Sequence, residues 1–522
     1  MRVRKCIILL CAVVLAASFS GCDRSSSAVI RMDISGPVHN LDPQFTTDPI
    51  ARMILSNIFE GLMVQSADGS LRPGAAREFV VSADRLVYTF TLREDARWQD
   101  GQPVTAQDFV FAFERMFSPQ TPSPFAEEFL AISGAGQVMR GEQPVETLGV
   151  AAIGQSMIVF TLERPCANFL TRLSDPAALP CNRAAFEQSR GRYGLEMRYV
   201  HSNGPFLLDR WDNTRFIQLS RNRYFREEEQ ALPERVVLHI GRQDALGQFL
   251  GGNSDLALVP SERLGEVRGR QAELVPIERT VWGLVFNQNS PPWNNPLLRQ
   301  SLALTIEQST YAGLLPRGFT ATCVFVPPAM LVQDQSFRSQ APESSPLGFD
   351  PVRGRHLVGR ALEVLDYDAF PQAALFVPES HSAQMQPIQS IWSFELDADI
   401  TVEPLEPEQM HELLRTGDYD ILLLPFSTTT ESPGGLLANF RVGNAFGHNN
   451  PRLDHALDLA ARAECPEVAL SLYKSAEDIL LESAAVIPLF FETSYYAVAA
   501  DLTGLEIFPF QGRILFQNAQ RG

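Results

Sequence analysis

The 522-residue chain predicts an α/β fold built as two similar lobes, and three observations carry that prediction. Short apolar strands alternate with helical patterns from about residue 29 to the end, with no low-complexity segment. The length exceeds what one hydrophobic core usually covers, so the chain divides into more than one lobe. One unit also occurs twice. Gly252-Asn253-Ser254-Asp255 runs into Leu256 to Val259 and Pro260, and Gly417-Asp418-Tyr419-Asp420 runs into Ile421 to Leu424 and Pro425. Each places a glycine where a helix ends, then an acid, then an apolar strand stopped by proline. Two such units about 165 residues apart point to paired lobes facing each other across a cleft.

The elements follow in order. Arg2, Arg4 and Lys5 precede a mostly apolar run from Cys6 to Phe19. A spanning helix needs about 20 residues, so this shorter run reads as the h-region of a signal peptide over 1–21. Phe19-Ser20-Gly21-Cys22 resembles the lipobox of bacterial lipoproteins, although Phe19 stands where leucine is usual. Cleavage there would leave Cys22 first and lipid-modified, with 22–28 as a tether. Asp23 next to that cysteine implies retention at the periplasmic face of the cytoplasmic membrane, or the cell surface in a Gram-positive host.

Val87, Thr89 and Thr91 alternate with Tyr88, Phe90 and Leu92, the pattern of a half-buried strand over 86–92. Thr105-Ala106-Gln107-Asp108 is a variant capping box that opens a helix. Phe109, Ala112, Phe113, Met116 and Phe117 share one face of it, a core stripe. Further strands are expected at Met157 to Leu162, Phe216 to Leu219, Val236 to Ile240 and Val486 to Phe491. Asn295-Pro296 starts a helix running to about Ile306, and Pro466 occupies the first turn of another through Leu480.

Composition excludes several functions. Lys+Arg is 43 and Asp+Glu is 61, a net charge of −18, or about −21 once the basic leader is removed. A nucleic-acid binder needs a basic face to neutralise phosphates, so that class is unsupported. Only Lys5 and Lys474 are lysines, which leaves Schiff-base and P-loop chemistry almost no candidate. No HExxH, GxSxG or GxxxxGK[ST] occurs, so neither a metal site nor a cofactor is expected. The consecutive acids Glu127-Glu128 diverge on a helix and read as solvated surface. After Cys22 four cysteines remain, Cys166, Cys181, Cys323 and Cys465. Cys166–Cys181 is the first-choice disulfide because the two lie close in sequence, and four free buried thiols are the equal alternative.

The stretch from Tyr88 to Val110, with Trp98-Gln99-Asp100-Gly101 at its centre, resembles the family-5 extracellular solute-binding proteins. These are the oligopeptide- and dipeptide-binding components of ABC importers. Leu41-Asp42-Pro43 with Asn57-Ile58-Phe59-Glu60-Gly61-Leu62 is similar to the family's opening. Ser202-Asn203-Gly204-Pro205-Phe206, Trp211 and Arg221 to Phe225 are similar to its middle, and Ile487 to Phe491 to its return strand.

The resemblance implies a two-lobed periplasmic-binding-protein-like fold of type II with an inserted α/β subdomain. Lobe I would comprise 29–46, 197–281 and 495–522, the inserted subdomain 47–196, and lobe II 282–494. Hinges would lie near 280–286 and 491–495. It also implies a site. Thr46, Thr47 and Asp48 in lobe I, and Phe426, Ser427, Thr428 and Thr429 in lobe II, match strands that contact a peptide backbone by β-augmentation. Phe125 matches a ligand-facing aromatic. Peptide binders usually place an aspartate after the lobe II strand for the peptide amine, and this chain has none there. Glu431 and Glu492 are the candidate replacements, and Arg415 is the candidate for a peptide carboxylate.

The expectation is a monomeric, lipid-anchored binding protein, without catalysis, that passes peptides or another small solute to a membrane permease. An oligosaccharide or nickel-chelate cargo is the alternative, and an exported hydrolase with carboxylates across the cleft is the rival from another class.

Overall fold

The computed structural model describes residues 29–522 except 68, 167, 227–230, 243, 268, 270, 333–334, 429–431, 464 and 509–512. The expected leader, Cys22 and the tether lie outside the described residues, as do Thr429 and Glu431. Among the described residues no helix is long and apolar enough to cross a membrane.

One sheet of eleven strands runs through the molecule. In chain order these are β1 (Val29–Ile34), β2 (Phe206–Asp212), β3 (Phe216–Arg221), β4 (Arg235–Ile240), β5 (Leu256–Val259), β6 (Ala272–Phe286), β7 (Phe319–Ala321), β8 (Ala373–Pro378), β9 (Ile400–Leu405), β10 (Ile421–Phe426) and β11 (Val486–Ala499). Their order in space is β9-β8-β10-β6-β11-β5-β1-β4-β3-β2, with β7 added beside β11.

The two repeated units occupy equivalent places. β5 lies parallel to β1 and antiparallel to β11. β10 lies parallel to β8 and antiparallel to β6. Gly417 ends the helix Pro407–Thr416 in the left-handed conformation, with φ 72°, as its unit requires. One detail differs. Pro260 stops β5, but Pro425 sits inside β10, opposite Trp282. By then β8 has left the other side of β10, since it pairs only with Ile421 and Leu422, so the missing N–H of Pro425 interrupts no ladder.

β6 and β11 are the long members, with 15 and 14 residues. They pair antiparallel from Ala272↔Ala499 to Val285↔Val486, so they join the β10 side of the sheet to the β5 side. The expected strand at Val486 to Phe491 is therefore only the first half of β11. The ladder slips between Glu278 and Thr280 and again between Trp282 and Gly283. Such irregularities let a ladder bend and twist locally. A Cβ on Gly283 would stand 2.7 Å from Val486, so glycine is needed where these strands press together.

The 87–92 segment forms the strand Val87–Leu92 of a separate four-stranded antiparallel sheet, with Tyr88, Phe90 and Leu92 buried. Thr105 and Asp108 close both bonds of the capping box, and the helix Ala106–Met116 buries Phe109, Ala112, Phe113 and Met116 as its spacing predicts. The helix Pro296–Leu304 ends two residues short of Ile306, and Pro466–Glu482 follows the pattern read from its sequence.

The segments that carry the family resemblance meet in space. Trp98 is 1% exposed and packs edge-to-face on Phe59, with ring centres 6.4 Å apart. Asn203 accepts from the Glu60 N–H at 3.0 Å and donates to the Glu60 carbonyl at 2.9 Å. The Gly204 N–H reaches the Ile58 carbonyl, and a Cβ there would lie 2.7 Å from Ile58 and Phe59 backbone atoms. Asn222 donates to Gly204 O, and Arg226 grips Glu60 through two bonds of 2.7 and 2.6 Å. These motifs thus build one buried polar joint, held by paired amide, carbonyl and ion-pair contacts.

Candidate functional site

Thr46, Thr47 and Asp48 lie on a turn that enters the helix Pro49–Ile58. Asp48 is its N-cap, accepting from the N–H groups of Ile50 and Ala51 at 2.7 and 3.0 Å. Its carboxylate is thereby engaged in the helix start. The Thr46 N–H is also used, bonding to Asp42 O at 2.9 Å. Thr47 is exposed, and its N–H and C=O carry no hydrogen bond among the described residues. It is the position in this turn that retains the groups β-augmentation needs.

The turn is held rigidly from beneath. Arg115 donates to Asp42 at 2.5 Å and to Gln44 Oε1 at 2.6 Å, and Gln44 Nε2 reaches the carbonyls of Ala177 and Leu179. Burial pushes the Asp42 carboxyl above its ordinary range despite the opposing Arg115 charge. Ser123 donates to the Gln44 carbonyl and accepts from the Phe125 N–H. The structure therefore ties Phe125 through Ser123 to Gln44, just before the 46–48 turn. The ring of Phe125 is only 8% exposed and is covered by the Arg52 guanidinium, 4.5 Å from its centre.

Phe426 ends β10 with its side chain in the core, 5.1 Å from the Phe325 ring and 5.4 Å from that of Phe440. What Phe426 can offer a ligand is therefore its backbone and not its ring. Ser427 beyond it is exposed, and Thr428 is half-buried. Three further expectations meet different surroundings. Arg415 stands exposed at the end of its helix, paired with Glu412 at 2.6 Å, so it is a surface cation and not a buried anchor. Glu492 accepts the Trp282 indole N–H at 2.7 Å and lies 3.6 Å from His381. Burial raises that carboxyl, but His381 and Trp282 outweigh burial and hold it below the usual range. Cys166 and Cys181 are unbridged, as are Cys323 and Cys465. Cys166 donates to Asn168 and Cys181 accepts from Arg115, so neither sulfur faces the other as a bond partner.

A cavity of about 380 Å³ opens between the segment 127–175 and the helices of 433–473. One wall is charged: Glu127, Glu128, Arg172 and Asp175, with Asn168 and Ser174. The facing wall is made of small apolar residues on the helices Pro433–Leu437, Pro451–Arg462 and Pro466–Glu482, joined by Ser432, Arg441 and Tyr473. Asp175 caps the turn at Pro176, accepting from Ala177 N, and takes the Arg52 guanidinium at 2.6 Å. None of the described residues named as ligand contacts from sequence lines this cavity. Their neighbours do: Glu128 follows Phe125 by three positions, and Ser432 follows Glu431 by one.

Sequence reasoning missed Glu128. It treated Glu127-Glu128 as one solvated pair, whereas the 3₁₀ turn Ala126–Phe129 leaves Glu127 exposed and draws Glu128 into the cavity wall. Burial and the nearby Asp175 charge push the Glu128 carboxyl up to about 7, with Arg172 and Arg52 opposing. The available signal was buried Ala126 and Phe129, spaced by three around it.

The comparisons with known proteins agree with this architecture. The model of the bacterial extracellular solute-binding proteins, family 5 Middle, matches residues 70–447. The periplasmic murein peptide-binding protein MppA of Escherichia coli is 26% identical over 489 residues, 90% of this chain and 88% of that protein. The probable deoxycholate-binding periplasmic protein YgiS of the same organism is 26% identical over 483 residues, 89% of this chain and 88% of that protein. Among solved structures, the substrate-binding domain of an oligopeptide ABC transporter from Bacillus anthracis superposes with a TM-score of 0.76 at 22% identity, covering 94% of this chain and 98% of that one. A two-lobed type II fold and a family match over most of its length place this chain among the family-5 bacterial extracellular solute-binding proteins.

Proposed function

We propose that this chain is the substrate-binding component of an ABC importer and that it captures peptides between its lobes. The supporting observation is the cavity between the inserted subdomain and lobe II, whose Asp175 holds Arg52 of the helix that Asp48 caps, together with Thr47, whose backbone groups carry no hydrogen bond among the described residues. A peptide offers both chemistries such a cleft uses, a backbone for augmentation and side chains for a roomy cavity. MppA, similar along most of its length, is named for murein peptide binding. The ladder slips in β6 and β11 supply the hinge, with boundaries as set out from the sequence. Bound cargo stabilises the closed state in proportion to its contacts with both walls. Cys22 carries a lipid after leader removal, the protein works as a monomer at the outer face of the cytoplasmic membrane, and a permease receives the loaded form. It performs no catalysis.

The test is a thermal-shift screen of the purified chain against peptides of two to six residues. Stabilisation by peptides supports the reading, and silence across the set overturns it. A second reading rests on the small apolar wall with Arg172 and Arg441 near it, which suits a flat amphipathic anion. YgiS is named as a probable deoxycholate binder, so deoxycholate belongs in the same screen. A response to it alone would replace peptides as cargo and leave the fold untouched.

A further inference from the structure

We propose that Glu128 is the cation acceptor of the cleft and receives a primary ammonium group of the cargo. This rests on the reading that the cavity between the inserted subdomain and lobe II holds the cargo.

The argument begins with the carboxylates of the charged wall. Asp175 is fully employed, with Arg52 on one oxygen and the Ala177 N–H on the other. Glu127 is exposed. Glu128 is half-buried and lines the cavity, and no group among the described residues donates a hydrogen bond to it. Its surroundings explain this. Asp175 beside it repels a second negative charge, while Arg52 and Arg172 attract it without touching. A partly desolvated carboxylate without a protein donor is costly, and a cation from the cargo removes that cost.

Arg52, the partner of Asp175, is 9% exposed and covers Phe125, and its Nη1 has no partner among the described residues. It is not part of the cavity lining, so it leaves the Glu128 carboxylate to the cargo.

The class of cation follows from the lining. Among the described residues no group of three His, Cys, Asp or Glu side chains could hold a metal ion. An ammonium needs up to three acceptors around one point charge. Glu128 supplies the charged one, and Ser174, whose hydroxyl proton is committed to the Thr171 carbonyl, keeps its oxygen lone pairs for another. Across the cavity stand Tyr473 and Arg441, of which Arg441 is held by Asp458 at 2.9 Å. The opposing charge is thus partly neutralised.

The experiment is calorimetric titration of the full chain with three peptides: tri-alanine, N-acetyl-Ala-Lys-Ala and N-acetyl-tri-alanine. At least one ammonium-bearing peptide should bind about tenfold or more tightly than the neutral one. Preference for tri-alanine identifies an α-ammonium as the group received, and preference for the lysine peptide identifies a side chain. Glu128→Gln should erase the preference by weakening the ammonium-bearing peptide about tenfold or more, and Glu128→Asp should retain part of it. Melting temperatures of both variants report whether they fold. Equal affinities for all three peptides, or an unchanged preference in a folded Glu128→Gln, overturn the proposal. If no peptide binds, 1,5-diaminopentane decides. Binding that is lost in Glu128→Gln sustains the ammonium site while the peptide reading fails, and no binding overturns both.

Discussion

The indole nitrogen of Trp282 donates to the Glu492 carboxylate at 2.7 Å, joining β6 to β11 beside the slips in their ladder. His381 stacks on the indole with ring centres 3.9 Å apart and reaches within 3.6 Å of the same carboxylate. The two strands that join the halves of the sheet are therefore cross-linked through side chains as well as backbone.

Breaking that link should loosen the crossing. Trp282→Phe keeps most of the stacking surface and removes the N–H, which leaves a half-buried carboxylate short of a donor. A loss of roughly 1–3 kcal/mol in urea unfolding is expected. Glu492→Gln can still accept the indole N–H through its carbonyl oxygen. Cargo affinity in calorimetry should then stay within about twofold of the parent, because this carboxylate serves the strands and not the cargo.

Glu477 makes a sterner case. It is fully buried on the helix Pro466–Glu482, takes the N–H groups of Phe325 and Val326 at 3.0 and 2.8 Å, and is gripped twice by Arg338 at 2.6 and 2.9 Å. Glu477→Ala would strand a buried guanidinium and two amides together. The expected cost is about 3–5 kcal/mol, read from the shift in urea midpoint. Replacing both partners with apolar residues should recover part of it.

What was legible in the sequence follows from which forces act locally. The repeated glycine–acid–strand unit located β5 and β10 because helix ends and apolar strands are short-range features. The motifs around Trp98, Asn203 and Glu60 announced the family because a buried polar joint tolerates few substitutes. Those motifs mark packing, however, and the cavity is lined by other residues. Arg415 was a natural guess for an anion anchor in a chain with one lysine beyond its leader, but its helix end faces water beside Glu412. Arg415→Ala is accordingly expected to leave cargo affinity within about twofold. Glu128 and Asp175 were invisible as partners because 47 positions separate them, and only the folded chain makes one carboxylate perturb the other.

His448 predicts an acid limit. It is 4% exposed, and its Nε2 has no partner among the described residues. Burial, with the Arg299 charge assisting, lowers it to about 4. The folded value lies below the unfolded one of about 6.5, so the neutral ring stabilises the native state above that pH. That contribution, up to about 3 kcal/mol, is lost as pH falls from about 6.5 to about 4. In His448→Gln the part of the acid transition due to this group should disappear when stability is followed by urea titration across that window.

Glu128 has the opposite sign. Its folded value of about 7 lies above the ordinary carboxylate value, so the protonated form favours the empty native state. That stability is present below about 4.5 and is lost as pH rises through about 7. Asp175 disfavours the charged form, while Arg52 and Arg172 favour it and Glu127 stands exposed alongside. An ammonium arriving at Glu128 reverses the preference, because it pairs only with the carboxylate. Binding at pH 6 must then expel a proton, nearly one per site, and binding at pH 8 about a tenth of one. Calorimetry of N-acetyl-Ala-Lys-Ala in two buffers of different ionisation enthalpy reads that number directly, since the lysine ammonium keeps its own proton throughout this range. Glu128→Gln should bring proton release to zero at both pH values, and release that persists in the variant would assign the titrating group elsewhere in the cleft.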